Sequence, residues 1–288
     1  MKKAIFIVFL MGLVLFSCKN TQKAEQSNQF KPHKLVYVTQ SPDSLLTSES
    51  VYYYKDKDLL FVSCINGKPT DKDSNGYISQ VSLSGKIINL KWATGLNAPK
   101  GMGIFNNKLY VTDIDRIAII DLNSGEILKY INVNGAKFLN DIAIDKNGNV
   151  YITDSQNNLI YMLQNDSIVG VWLENLPVAN GLYLDGDILY VGLKDKLISV
   201  NIKTKQTQTI AEYKTPMIDG LKKVNGGFIT SDWYGKAYFV DTNHDTVYTM
   251  LFFPQQNKNI ADFEYIPDMN LLIIPTFFDN RIAFYKFQ

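Results

Sequence analysis

The chain has 288 residues, 46% of them apolar and 20% charged, and a formal net charge of +1. That length allows one large domain or two small ones, and a near-neutral balance with no basic cluster among aromatics gives no nucleic-acid footprint. Two histidines, His33 and His244, and no Gly-x-Ser-x-Gly turn argue against a Ser-His-Asp triad or a histidine-ligated zinc centre.

In chain order, Lys2 and Lys3 precede an apolar stretch over residues 4–17, too short for a membrane span and read as an export signal. It ends in Leu15-Phe16-Ser17-Cys18, which resembles a bacterial lipobox. The resemblance implies a signal peptide over 1–17, cleavage before Cys18 and a lipid on its thiol. The chain would then be anchored in the cell envelope, at the outer membrane since no Asp follows the cysteine. Cleavage removes two lysines and takes the formal charge from +1 to about −1. Cys18 and Cys64 are the two cysteines, so a lipidated chain forms no internal disulfide and depends on packing. Residues 18–33 are polar and read as a flexible tether.

From residue 34 onward the chain alternates apolar and polar residues, and Tyr and Phe together number 33. Six segments share one grammar of a polar residue, a short strand, a turn and a stronger strand. They start at Glu49, Lys100, Asn140, Asn180, Asp219 and Asp262, at spacings of 51, 40, 40, 39 and 43 residues. Turn formers sit where expected, as in Asp145–Gly148 and Asp185–Asp187. A third strand follows each pair and generally a fourth, with almost no helical period. This is the pattern of an all-β, six-bladed β-propeller over residues 34–288. The sixth segment ends after three strands, and Lys34–Thr39 is left without a partner. That N-terminal strand is expected to close the last blade, since closure hides an exposed edge.

The first strand of each propeller blade lines the axis, so the six starting residues are expected to ring it at one face. Asn-Asp, Asn-Gly and Asp-Gly are common turn chemistry, but six polar residues in phase, mostly with hard oxygen donors, suit a calcium or magnesium site. Loops between second and third strands surround the same face and bring Trp233, Tyr234, Phe277 and Phe278 as candidate walls. The stretch Asp71–Gly76 imitates the start of a calcium loop, but Ser82 stands where the closing glutamate belongs, and a solvated loop is the better reading.

The ring resembles that of the gluconolactonase and senescence-marker-protein (regucalcin) family of six-bladed propellers. The matching residues are Glu49 in Ser-Glu-Ser-Val, Asn140 in Phe-Leu-Asn-Asp, Asn180 in Ala-Asn-Gly-Leu and Asp219 in Ile-Asp-Gly-Leu. The resemblance implies a divalent metal, calcium with zinc or magnesium as alternatives, held by Glu49, Asn140, Asn180 and Asp219. It also implies Asp219 as the catalytic base and hydrolysis of a sugar lactone or related ester, with a small molecule as partner and a monomeric state. Three departures stand beside it: Ser50-Val51 replaces Gly-Pro, Phe138 and Leu139 stand where an arginine is common, and Lys100 adds a cation. They keep open an alternative, a non-catalytic envelope propeller that binds a ligand or protein. Lys100, Asp262, Trp233 and Phe277 complete the expected pocket.

Overall fold

The computed structural model describes residue 1 and residues 32–253 and 258–288. The expected export signal, Cys18 and most of the tether lie outside the described residues. Among the described residues no helix is long and apolar enough to cross a membrane.

Among the described residues, twenty-four strands form six four-stranded antiparallel sheets. The innermost strands of blades one to six are Ser48–Tyr54, Pro99–Phe105, Leu139–Ile144, Leu182–Asp185, Leu221–Val224 and Glu264–Ile266. Each of the first five blades is contiguous in sequence. The sixth takes its outermost strand, Leu35–Gln40, from the other end of the chain, paired antiparallel with Ile282–Phe287. The expected closure is present.

Burial explains why the blades need one another. Second strands such as Leu59–Cys64 and Gly227–Asp232 are buried along their whole length, whereas an outer strand such as Thr207–Glu212 is largely exposed. A sheet with two apolar faces must cover both. Six apolar layers do so, one between each pair of neighbouring blades. Ile266, Ile273 and Phe284 of blade six meet Val51, Leu60 and Val62 of blade one. Tyr110 and Ile119 of blade two meet Ile142 and Ile152 of blade three. A seventh cluster, Ile65, Ala98, Ile114, Ala261 and Phe277 with Trp233, lies among the loops where the inner strands begin. We call that end the upper face.

The turns behave as their residues dictate. Gly148 takes a positive φ of 82° and its N–H donates to the Asp145 carbonyl, while Asp145 Oδ1 accepts from the Asn147 and Asn149 amides.

His33 corrects the expected tether boundary. Its backbone N–H donates to the Tyr248 hydroxyl at 2.7 Å, and its ring stacks on Phe287 with centroids 4.5 Å apart. The propeller therefore begins at His33. Deleting residues 33–40 removes the outer strand and this stack together. It should cost several kcal/mol and lower the thermal midpoint by roughly 10 °C or more; an unchanged midpoint in a melting experiment would refute the closing role.

Candidate functional site

The inner strands carry the ring residues at local irregularities. Pairing with the second strand shifts register between Ser48 and Ser50, between Pro99 and Met102, and between Leu139 and Ile142. Glu49, Lys100 and Asn140 sit inside these bulges, which turn side chains toward the axis. Asn180 and Asp219 precede their strands, held by backbone bonds from Asn180 N–H to the Gly192 carbonyl and from Asp219 N–H to the Ser231 carbonyl.

Hydroxyls on the second strands lock this geometry between blades. Thr153 Oγ donates to the Asn180 carbonyl of the next blade at 2.9 Å and accepts from the Asp141 N–H of its own. Ser231 bridges likewise, from the Gly220 N–H to the Ala261 carbonyl, and Thr112 donates to the Asn140 carbonyl. The residue after each hydroxyl is a buried aspartate, and two of these pin the loop that leads into the inner strand of their own blade. Asp113 accepts from the Asn97 and Ala98 amides, and Asp154 from the Lys137 and Phe138 amides, which fixes the approach to Lys100 and Asn140.

The glycines after the ring residues are there for space. A Cβ on Gly181 would lie 2.1 Å from the Asp219 carbonyl oxygen, and one on Gly220 would lie 2.4 Å from the Phe263 ring. Asn-Gly and Asp-Gly, common as turn chemistry, here record the close approach of neighbouring inner strands.

Five ring residues meet in one cavity of about 140 Å³, namely Glu49, Lys100, Asn140, Asn180 and Asp219. All five are buried. Asn180 Nδ2 donates to Asp219 Oδ1 at 2.9 Å, which turns the Asn180 amide oxygen away from its neighbour. Asn180 Oδ1 and Glu49 Oε2 are buried without any hydrogen-bond partner. The Lys100 ammonium donates to the Ala98 carbonyl at 3.0 Å and the Pro69 carbonyl at 3.2 Å, and lies 4.5 Å from the Phe138 ring centroid. Its direct partners are thus carbonyls, although it shares the cavity with two carboxylates.

Electrostatics follow from burial. Burial, then the Asp219 charge, pushes Glu49 well above the usual carboxylate range, and Lys100 offsets part of that. Burial, then Asp262, raises Asp219 to about 7. Burial lowers Lys100, with Glu49, Asp113 and Asp219 opposing it.

Asp262 corrects the six-fold expectation. Its N–H donates to the Glu49 carbonyl of blade one at 3.0 Å, so its backbone pairs with the neighbouring blade. The side chain accepts from Ser50 Oγ at 2.7 Å and lines a second, lower axial chamber of about 240 Å³; its Oδ1 has no partner. Asp141, Lys222 and Glu264 line the same chamber. Asp141 stands where blades four and five carry glycine, at Gly181 and Gly220. It is buried, with its carboxylate accepting from the Ile142 and Leu182 amides. Burial pulls Lys222 down, but Glu264, Asp262 and Asp141 outweigh it and hold the lysine above its ordinary value. Lys222 and Glu264 lay within strand alternation and carried no separate sequence signal.

Trp233 and Phe277 line the upper cavity, with ring centroids 5.6 Å apart. Tyr234 and Phe278 are exposed and pack on Trp233 from outside. In the stretch Asp71–Gly76, Asp73 accepts from the Asn75 side chain and backbone on an exposed loop. Among the described residues no three Asp, Glu, His or Cys side chains gather as a metal cluster, so any cation at the upper cavity would need the amide oxygens.

No protein family and no curated protein matches the sequence. Among solved structures, a streptogramin B lyase matches with a TM-score of 0.62 and 13% identity, over 89% of this chain and 98% of that one. The extracellular domain of a hybrid two-component system from B. thetaiotaomicron matches with a TM-score of 0.56 and 15% identity, over 82% of this chain and 33% of that longer one. At such identities these likenesses establish the propeller fold.

Two outcomes are expected. Gly181→Ala should destabilise the protein by about 1–3 kcal/mol in denaturant unfolding, because a methyl group there must displace the Asp219 backbone. Asp219 binds its proton near pH 7 when folded but near 3.8 when unfolded. The native state therefore holds the extra proton between those values, and stability falls as pH rises from about 4 to 7. The metal-free protein should lose on the order of 4 kcal/mol from this group across that window, and Asp219→Asn should flatten the curve.

Proposed function

We propose that the protein is a divalent-cation-dependent hydrolase of the gluconolactonase-like kind, opening a small lactone or related ester at the upper end of the axis. The observation that carries this reading is the pair of orphaned oxygens, Glu49 Oε2 and Asn180 Oδ1, in a cavity shared with Asn140 and Asp219. A buried acceptor without a partner costs about 1–3 kcal/mol, and a hard cation relieves several such oxygens at once. Glu49, Asn140, Asn180 and Asp219 would hold it. Bound there, a divalent ion polarises an ester carbonyl and lowers the pKa of water.

The chain's own groups supply the rest. Asp219, buried in the cavity beside Asn180, is placed to take a proton from an attacking water. The Asn180 amide fixes its orientation through the 2.9 Å bond to Oδ1. Lys100, held by two carbonyls, presents a fixed charge to the negative oxygen that forms as the ester is attacked. Water attack and ring opening yield a hydroxy acid.

Lys100 also favours a second reading. An ammonium beside the ligand set competes with a metal, and a non-catalytic propeller would use it to hold an anionic ligand. Calorimetry separates the two. On the hydrolase reading the protein binds calcium, zinc or magnesium, Lys100→Met tightens that binding by about tenfold as a repelling charge is removed, and Asp219→Ala abolishes lactone hydrolysis. Absence of metal binding, or equal hydrolysis by Asp219→Ala and the unaltered protein, would overturn it.

A further inference from the structure

The upper cavity is polar on one side only. Glu49, Lys100, Asn140, Asn180 and Asp219 form its floor, and every other lining residue is apolar: Ile65, Pro69, Phe138, Met217, Trp233 and Phe277. These six come from loops around four blades, so the apolar wall is a property of the whole upper face. Among the wall side chains only the Trp233 indole carries a hydrogen-bond donor. The Pro69 carbonyl already takes the Lys100 ammonium.

Part of the wall is kept under backbone strain. Phe277 has φ of 47° and Ile114, packed in the same apolar cluster, has φ of 64°. Left-handed backbone is costly for a β-branched or bulky residue, and at most such positions this chain uses Asn, Asp or Gly. Apolar side chains persist at these two places where a polar turn residue would fit more easily. Phe277 meets Trp233 and Phe278 edge-on, at centroid separations of 5.6 and 4.8 Å, so the aromatic wall continues outward to an exposed ring. The volume of about 140 Å³ is below the roughly 300–1,000 Å³ of sites for drug-sized ligands.

We infer that this cavity selects a compact apolar cyclic ester, of the aryl or alkyl lactone class, over a polyhydroxylated sugar lactone. The inference rests on the hydrolase reading for the reaction, while the ligand chemistry follows from the wall. The ester oxygens face the polar floor and the hydrocarbon part faces the rings. A sugar lactone would place its hydroxyls against the wall without partners, each lowering affinity on the order of tenfold.

The test compares binding and turnover separately. Dihydrocoumarin and glucono-δ-lactone serve as substrates in the presence of calcium, and their unreactive lactam analogues as ligands in calorimetry. We expect the apolar lactam to bind at least a hundredfold more tightly than the sugar lactam, and kcat/KM to favour dihydrocoumarin by a similar factor. Met217→Gln, at a partly exposed wall position outside the apolar clusters, should narrow both ratios about tenfold; Phe277→Gln should do the same if it folds. Tight binding of the apolar lactam without turnover of either lactone supports the ligand class and overturns the hydrolase reading. Equal or tighter binding of the sugar lactam, or binding of neither, overturns the inference.

Discussion

The site depends on the hydrogen bonds that second-strand hydroxyls send across to the next blade's inner strand. Thr112, Thr153 and Ser231 each bond to the backbone of the neighbouring blade beside the axis. Inter-blade apolar layers alone would hold the sheets at ordinary packing distance and leave the angle between blades loosely set. Directional bonds at the axis fix where each bulge sits relative to the next. They bring the inner strands so close that Gly181 and Gly220 cannot carry a side chain. Five side chains from five blades reach one small cavity because of this closeness, and a displacement at any one stitch passes directly to two ring residues.

The closeness has an electrostatic consequence. Five carboxylates, those of Glu49, Asp219, Asp262, Asp141 and Glu264, share the axis with only two lysines. Backbone amides neutralise part of this at Asp141 and Glu264. Glu49 and Asp262 each retain an oxygen with no partner. An arrangement selected only for stability would have paired these oxygens or replaced the acids with apolar groups. The excess acid is therefore intelligible as a binding function, with Lys100 and Lys222 as internal counter-charges that make the unliganded state tolerable.

Much of the architecture was legible because periodicity reports it directly. The forty-residue recurrence and the unpaired Lys34–Thr39 imply six blades and the closing strand. The ring was legible for a different reason. Its members occupy equivalent places in the repeat, so alignment found Glu49, Asn140, Asn180 and Asp219 together. Asp262 and Asp141 depart from that equivalence. Alignment treats the blades as equivalent, but at the join between blades six and one the Asp262 amide pairs with Glu49, and the side chain turns down to Ser50. Asp141 fills a place that is glycine elsewhere, and only three-dimensional spacing shows that the axis has room for it. Lys222 and Glu264 were invisible because alternation in a short inner strand does not distinguish an axial residue from a solvated one. The Thr-Asp pairs at the ends of second strands recur openly in the sequence at 112–113 and 153–154. Their role needed the structure, since their partners lie across loops and blades.

Floor and roof of the upper cavity act on each other. Apolar walls from Phe138, Trp233 and Phe277 exclude water from the carboxylates beneath, and in a medium of lower polarity each charge exerts a stronger field. That exclusion is the first cause of the raised proton affinities of Glu49 and Asp219. A more polar wall would solvate the acids, lower their proton affinity and weaken the field of Lys100 in the cavity. On the proposed reading, ligand selection and acid–base character are two effects of the same residues. The left-handed backbone at Phe277 supports both, because it keeps an aromatic ring in the cavity wall above the carboxylates.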